Sequence, residues 1–318
     1  MALSEAEKKW VRQFPVQEMI HQGLLAPCRR LDEKLAELFR FFEVGSIEGW
    51  EKLWQKQSST QFRKMNSLNG NAYKTSAWLY CGVRGVREEQ RNKFDLNFFK
   101  NSLQTIRTLT NEPLQTAFDE LKDICLQSGV VIVLTDRFNG LGISGATQWI
   151  DETPVIQLTD LFKRHDRFWF TFFHEAAHII LHKGENFIEA QADDYCGNAK
   201  EEEANDFAAD LLNPPKYYQQ LIESHLSEAN ILRYAEKVNI HPGIVVGRLA
   251  RDGRIDYTEF QDMSPKIELV NHNDRRGKKL DSTTRKKLFA EYDQRKKQLP
   301  TQDLNPIPQN EVEALLEL

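Results

Sequence analysis

The sequence His174-Glu175-Ala176-Ala177-His178 lies in a long apolar stretch that runs from Leu161 to His182. On a helix, residues four apart lie on the same face, so His174 and His178 point their imidazoles at one spot, with Glu175 at its edge. Two neutral imidazoles can hold Zn²⁺ with a position left open for water, and a carboxylate outside the coordination shell can take that water's proton. A buried helix with two chance histidines is the alternative, but an unpaired imidazole in so apolar a segment would be costly. The stretch therefore predicts a metal site with a base beside it.

A catalytic zinc site needs a third protein ligand, and an acidic helix downstream offers candidates. Apolar residues recur at helical spacing between residues 200 and 212. Glu201 shares their face, whereas Glu202 and Glu203 fall nearer the flanks, so Glu201 is the predicted ligand and Glu203 the alternative. Asn205, one turn on, can hydrogen-bond a ligand from outside the coordination shell. Three consecutive glutamates are also typical of a solvated helix N-terminus, and one inward carboxylate with two outward ones would satisfy both interpretations.

These two motifs together carry a family resemblance. Residues 174–178 and the sequence Glu201-x-x-Ala-Asn-x-Phe-Ala-Ala-x-Leu-Leu-x-Pro214 resemble the ImmA/IrrE-type metallopeptidases. The similarity covers roughly residues 120–256, and Ile240–Leu249 is similar to members linked to HigA-like antitoxins. The resemblance implies a thermolysin-like zinc site in an intracellular protease whose usual targets are repressors or antitoxins. Carried over position by position, it makes His174, His178 and Glu201 the metal ligands and Glu175 the base.

Length and composition are those of an ordinary globular protein. The chain has 318 residues, of which 40% are hydrophobic and 28% charged, enough for one large domain or two. It contains no apolar run of about 18 residues, and its first residues lack the basic and then apolar profile of a signal peptide. We therefore expect a cytoplasmic protein without membrane contact.

The four cysteines predict reduced thiols. Cys28, Cys81, Cys125 and Cys196 are far apart and form no Cys-x-x-Cys pair, so neither a disulfide framework nor a second zinc site is expected. Cys196 lies between the two predicted metal helices, where a thiolate could also bind zinc. Its loop setting favours a free thiol.

Between residues 129 and 160 the hydrophobic pattern changes from helical to β. Residues 129–135 predict a strand buried on both faces, and residues 141–150 and 154–158 predict two more. Such a sheet could pair its edge strand with an extended substrate, and the glycines of residues 141–149 would let that substrate approach closely. A bulged strand without a ligand is the alternative. The predicted fold class is α+β, mostly helical, with a small twisted sheet packed on the thermolysin-like metal helix.

The N-terminal hundred residues are predicted to be helical. A capping box of Ser4 and Glu7 begins one helix, and residues 31–42, 94–109 and 114–126 predict others. Aromatic residues in this region, such as Trp50, are expected in a core rather than in a platform for stacked bases. Many members of the resembled family carry an N-terminal helix-turn-helix, but no convincing one is present here.

After Pro214 the pattern predicts helices over residues 216–226, 228–238 and 242–250. The last two have some helix-turn-helix character, although helix pairs of this kind usually pack against a core. The net charge of −5 gives no general attraction for nucleic acid, and direct nucleic-acid binding is not expected.

We predict three segments: a helical N-terminal region, residues 1–118; a peptidase domain with a helical C-terminal end, residues 119–262; and a tail, residues 263–318. The tail contains at most one helix, residues 282–298. Ten Lys and Arg residues lie between positions 275 and 297, and the last residues are acidic. A solvated tail is favoured over an electrostatic site for nucleic acid or an acidic partner.

Two functions fit these motifs. The first is a zinc endopeptidase that cleaves a protein regulator, a DNA-binding repressor or antitoxin encoded nearby, in a toxin-antitoxin, phage-related or stress-response system. The second is a non-catalytic antitoxin-like or regulatory binding protein with a structural or vestigial zinc site. Glu175 favours the first, because a structural site has no use for a base. Sites of this type also bind Mn²⁺, Co²⁺ or Ni²⁺. His165, His182 and Tyr195 are candidates for the group that stabilises an oxyanion.

Overall fold

The computed structural model describes residues 3–57, 72–89, 91–159, 163–190 and 199–267. Within these residues the chain adopts a mostly helical α+β fold with a small mixed sheet, which confirms the predicted fold class. The helices before the sheet are α1 (Glu5–Val11), α2 (Val16–His21), α3 (Leu31–Phe42), α4 (Ile47–Gln57), α5 (Ala72–Glu88), α6 (Leu96–Thr108) and α7 (Leu114–Gln127). The strands are β1 (Val131–Leu134), β2 (Ile143–Ile150), β3 (Thr153–Leu158) and β4 (Phe187–Ala190). The remaining helices are α8 (His165–Leu181), between β3 and β4, and α9 (Ala199–Leu212), α10 (Pro215–Glu223), α11 (Glu228–Val238) and α12 (Pro242–Arg251).

The four strands form one sheet in the order β1-β3-β2-β4. β1 and β3 are parallel, whereas β2 pairs antiparallel with both β3 and β4. The expectation that a substrate meets the glycine-containing strand of residues 141–149 is wrong, because β3 and β4 cover both edges of that strand. A register shift between Ile143 and Gly145 shows that β2 is instead a bulged strand. The hydrophobic pattern does not predict β4, since four residues are too few to show a clear alternation.

Helices cover both faces of the sheet. Ile156 of β3 belongs to the core beneath α8, while its neighbour Gln157 faces α5 on the other side. Gln157 donates a hydrogen bond to the carbonyl of Trp78 at 2.6 Å, and Gln148 donates to the carbonyl of Leu79 at 3.2 Å. Buried amides must be satisfied, so these bonds fix α5 to the back of the sheet.

Two large hydrophobic cores result among the described residues, one on each side of the sheet. The core beneath α8 draws residues from α6, α7, α9, α11 and α12. The second core, between the N-terminal helices and the back of the sheet, is rich in aromatic side chains, and Trp50 stacks on Tyr73 at 5.1 Å between ring centroids. The prediction that the N-terminal aromatic residues form a core is confirmed.

Helix α6 contributes Phe99, Leu103 and Ile106 to the core beneath α8, although it precedes residue 118, where the N-terminal region is predicted to end. The three segment boundaries stay a prediction. The basic stretch of residues 275–297 and the predicted helix of residues 282–298 lie outside the described residues.

Several local predictions are confirmed. The hydroxyl of Ser4 accepts a hydrogen bond from the backbone N–H of Glu7 at 3.2 Å, and the backbone N–H of Ser4 donates to the Glu7 carboxylate at 2.8 Å, which completes the capping box. The second helix of the helix-turn-helix-like pair, α12, is buried along most of its length and packs on α8, where Gly247 meets Asp166. This helix therefore contributes to the core.

Among the described helices, none is long and apolar enough to cross a membrane.

The described cysteines are free thiols, as predicted. Cys28 is half-buried, and Cys81 and Cys125 are buried. Burial raises the pKa of Cys81 to about 12, so this thiol stays protonated and unreactive at neutral pH. Cys196 lies outside the described residues.

Arg107 on α6 holds the end of α9, the helix that carries Glu201. Its buried guanidinium donates hydrogen bonds to the carbonyls of Leu211 at 2.7 Å and Leu212 at 3.1 Å. Carbonyls in the last turn of a helix lack intrahelical donors and lie at the negative end of its dipole. We predict that Arg107→Met lowers the free energy of unfolding by about 2–3 kcal/mol, measured by chemical denaturation. Arg12→Met, at an exposed position, is the control; equal stability of the two variants would contradict the prediction.

Candidate metal centre

Two helices bring the three predicted ligands together. Helix α8 carries His174 and His178 one turn apart, and α9 packs against it with Glu201 in its first turn. Oε2 of Glu201 lies 3.1 Å from Nε2 of His174 and 3.4 Å from Nε2 of His178, and the two Nε2 atoms are 3.1 Å apart. All three side chains are buried. In the part of the chain that the structure describes, no other group of His, Cys, Asp and Glu side chains converges in this way.

These separations fit a single tetrahedral ion. Ligand atoms about 2.0–2.1 Å from Zn²⁺ at tetrahedral angles would be about 3.3 Å apart, close to the spacing observed. Oε1 of Glu201 is buried and has no hydrogen-bond partner among the described residues, which costs free energy unless a further group satisfies it. The three side chains of His174, His178 and Glu201, the metal group, could therefore hold a divalent metal ion. Imidazole and carboxylate donors do not by themselves select zinc from the other divalent transition metals.

Without a metal ion, the three groups set one another's charge. Burial opposes protonation of His174, but the hydrogen bond with Glu201 and the surrounding carboxylates outweigh it and raise the pKa of His174 to about 9. Burial also opposes ionisation of Glu201, yet its contacts with the imidazoles of His174 and His178 lower its pKa to about 2. Burial prevails at His178 and lowers its pKa to about 4. At pH 7 the metal-free centre thus holds one imidazolium, one carboxylate and one neutral imidazole.

Asn205 lies behind His174, on the side away from Glu201. Its Oδ1 is 3.1 Å from Nδ1 of His174, so this nitrogen donates to the amide oxygen and leaves Nε2 for the centre. A hydrogen bond to the far nitrogen of an imidazole fixes both ring orientation and tautomer. Asn205 follows Glu201 by one turn of α9, and the same helix can therefore supply both side chains.

His182 lies behind His178 in a comparable position. Its Nδ1 is 3.0 Å from Nδ1 of His178, and its Nε2 is 3.0 Å from Oε2 of Glu203. His182 is therefore one step removed from the metal group, which does not favour it as the stabiliser of an oxyanion. Glu203, the alternative ligand, points at His182 instead of at the metal group. Because His174, His178 and His182 are four residues apart, they share one helix face, and that spacing is the sequence signal for this arrangement.

Glu175 lies against β2, next to the metal group. Its Oε2 accepts a hydrogen bond from the Thr147 hydroxyl at 2.7 Å. Gly145 leaves the space that Glu175 occupies, because a Cβ at this position would lie 2.7 Å from Oε1 of Glu175 and 2.6 Å from a methyl group of Thr171. The glycine expected to admit a substrate therefore makes room for the predicted base. Oε1 of Glu175 is buried and has no hydrogen-bond partner among the described residues.

Burial raises the pKa of Glu175 to about 8, opposed by the charge of His174 and reinforced by the carboxylate of Glu189. The carboxyl group is thus mainly protonated at pH 7 in the metal-free protein, and a cation bound nearby would favour its ionised form. Such a group, with one oxygen held and the other unpartnered, is suited to exchange a proton with a molecule bound beside the metal group.

The edge strand β4 forms one wall of the centre. Phe187 stacks on His178, with ring centroids 3.8 Å apart and planes 8° from parallel. Glu189 lies on the same face of the strand, accepts a hydrogen bond from the Ser144 hydroxyl at 2.8 Å, and acts electrostatically on His174. Sequence reasoning did not identify these residues. Residues two apart on a strand share a face, as Phe187 and Glu189 do, but so short a strand gives no clear signal in the sequence.

His165 and Tyr195, the other two candidates for an oxyanion stabiliser, are not part of the centre described above. His165 begins α8, accepts a hydrogen bond from the Trp169 indole at 3.1 Å and packs on His241, with ring centroids 4.4 Å apart. Burial lowers the pKa of His165 to about 3, so this residue is a neutral part of the core. Tyr195, like Cys196, lies outside the described residues.

Comparison with known proteins adds one finding. Residues 125–250 match the model of the family Peptidase_M78, described as the IrrE N-terminal-like domain. No curated protein and no solved structure was found to match the chain. The matched residues begin at the end of α7 and run through the sheet to α12, so they contain His174, Glu175, His178 and Glu201. Over residues 125–250 the chain is therefore similar to this family, and its resemblance to the ImmA/IrrE-type metallopeptidases is confirmed for that part of the chain.

Proposed function

We propose that the protein is a zinc-dependent endopeptidase that cleaves a protein regulator, a repressor or antitoxin, in a toxin-antitoxin, phage-related or stress-response system. The position of Glu175 carries the proposal. Its carboxylate is held by Thr147 beside three convergent donor atoms. A non-catalytic protein with a structural or vestigial ion would need the donors but no such base.

The residues divide the chemistry between them. His174, His178 and Glu201 would hold the ion, and a bound Zn²⁺ would polarise the scissile carbonyl and acidify a water molecule. Glu175 takes the proton of the attacking water on its unpartnered Oε1 and then delivers it to the leaving amine. Thr147 holds Oε2 during both transfers. Burial of these groups keeps bulk water away and strengthens their electrostatic interactions.

The substrate is proposed to bind as an extended segment along β4. One edge of this strand pairs with β2, and no other described strand pairs with it. Main-chain hydrogen bonds to such an edge hold a peptide in register, and the side chains of Phe187 and Glu189 would line its path to the metal group.

The proposed partner is a DNA-binding repressor or antitoxin encoded nearby. This part of the proposal is supported by the similarity of residues 240–249 to members linked to HigA-like antitoxins. Those residues pack on α8 through α12, so they offer no separate surface for reading DNA. The free thiols of Cys28, Cys81 and Cys125 fit action in the reducing cytoplasm.

Incubation of the zinc-loaded protein with the product of the adjacent gene tests the proposal. Mass spectrometry should find defined cleavage products that a chelator abolishes and added zinc restores. If the protein with a full complement of zinc binds that partner and leaves it intact, the result would contradict the proposal and support the non-catalytic alternative.

Glu175→Gln separates catalysis from metal binding. The substitution removes the proton acceptor and keeps the three proposed ligands, so zinc content should equal that of the wild type while hydrolysis falls by about 10²–10⁴-fold. Zinc analysis and a cleavage time course provide the two measurements. The exposed Glu236→Gln is the matched control. Cleavage by Glu175→Gln at the wild-type rate would remove Glu175 from the mechanism.

Thr147→Val tests whether the hydroxyl holds the base. Loss of a hydrogen bond to a charged group should lower kcat by about tenfold to a hundredfold, with KM and zinc content little changed. Thr147→Ser keeps the hydroxyl and should retain most of the activity. Steady-state kinetics decide, and equal kcat values for the Val and Ser variants would contradict the role.

Zinc affinity should rise with pH. In the metal-free protein the pKa of His174 is raised to about 9, so below that pH a proton occupies the nitrogen that the metal requires. Each unit of increase between pH 6 and 8 should therefore tighten zinc binding by about tenfold. Competition with a chelator of known affinity measures this slope. A pH-independent affinity would mean that zinc does not displace a proton from the centre.

A further inference from the structure

A chain of contacts leads from the metal group to the surface through His178, His182 and Glu203. The two Nδ1 atoms of His178 and His182 are 3.0 Å apart, and Nε2 of His182 is 3.0 Å from the Glu203 carboxylate. The side chain of His182 is 4% exposed and that of Glu203 is 61% exposed. The chain therefore begins at the buried centre and ends in solvent.

With both imidazoles neutral, one arrangement of protons satisfies every contact in this chain. A carboxylate can only accept, so Nε2 of His182 carries a proton that it donates to Glu203. A neutral His182 then has a bare Nδ1, which accepts from a proton on Nδ1 of His178. Neutral His178 with its proton on Nδ1 has a bare Nε2. This nitrogen is the one directed at the metal group.

The contacts on the opposite side of the centre are consistent with the same tautomer. Nε2 of His174 lies 3.1 Å from Oε2 of Glu201 and 3.1 Å from Nε2 of His178. Two N–H groups cannot face each other at that distance. A proton on Nε2 of His174 can donate to the carboxylate, and a bare Nε2 on His178, with its proton on Nδ1, avoids a contact between two N–H groups.

Packing fixes the rings but not the proton. Phe187 stacks on His178 and also contacts His182, with ring centroids 5.2 Å apart. Stacking is the same for both tautomers of an imidazole, because exchange of the proton between its nitrogens leaves the ring shape unchanged. The selection of a nitrogen therefore has to come from the hydrogen bonds.

We propose that His182 and Glu203 are positioning residues that hold His178 in the tautomer with a bare Nε2 and so preorganise the centre for a metal ion. The inference rests on the metal site of the proposed function. Hydrogen bonds to a ligand from outside the coordination shell typically change metal affinity by tenfold to a hundredfold. We expect an effect of that size here.

Zinc affinity of substituted proteins provides the first test. His182→Phe keeps a ring against Phe187 and removes both nitrogens, so zinc should bind about tenfold to a hundredfold more weakly than to the wild type, by chelator competition. Glu203→Ala should weaken binding by a smaller factor, because its carboxylate is exposed. Glu202→Ala, which removes the same charge from the neighbouring exposed position, is the matched control and should bind zinc like the wild type.

The tautomer itself provides a second test that needs neither zinc nor a substrate. Long-range ¹H–¹⁵N spectra of the metal-free protein labelled at histidine should show the proton of His178 on Nδ1 and that of His182 on Nε2. In Glu203→Ala the His182 signals should shift toward a mixture of tautomers. Because it uses the wild type and Glu203→Ala, this measurement tests the tautomer of His178 even if His182→Phe fails to fold.

A proton of His178 found on Nε2 would overturn the proposal, and so would wild-type zinc affinity in both His182→Phe and Glu203→Ala. Cleavage does not enter either test. A protein that shows the expected tautomers and zinc affinities but cuts no partner would keep the positioning role and lose the proposed peptidase function. Cleavage of the partner, together with unchanged zinc affinity in both variants, would support the peptidase function and reject the positioning role.

Discussion

The close approach of one buried carboxylate to two buried imidazoles is the constraint on which this structure depends. Glu201 lies within 3.4 Å of both His174 and His178, although burial disfavours a lone charge. The arrangement therefore requires α8 and α9 to be held at a fixed separation. The core beneath α8 and the contact of Arg107 with the end of α9 supply that restraint.

The sheet supplies the other half of the centre. β2 brings Thr147 to Glu175, and the absence of a side chain at Gly145 lets the carboxylate lie against the strand. β4 then covers the outer side of β2 and places Phe187 and Glu189 around the metal group. A small sheet can do this only if its back is supported, and α5 provides the support through the buried amides of the sheet.

His174 and His178 each have a hydrogen-bond partner at the outer nitrogen, and the two partners differ. Asn205 occupies the outer nitrogen of His174, and His182 occupies that of His178. Both partners leave Nε2 directed at the metal group; Asn205 lies on α9, and His182 directly follows the end of α8. The centre is thus assembled with few elements, so a change in the spacing of α8 and α9 would disturb ligands and their supporting residues at once.

The sequence by itself determined the parts of the centre that follow from helical periodicity. His174 and His178 share a face because they are four residues apart, and Glu201 and Asn205 were placed by the same reasoning on α9. The α+β class followed from the change of hydrophobic period near residue 129. Only the tertiary structure decided that β2 is interior and that Gly145 and Thr147 serve Glu175. It also turned Glu203 toward His182. These contacts join segments that lie on different elements, and no local spacing in the chain encodes which strand covers another or which helix face meets it.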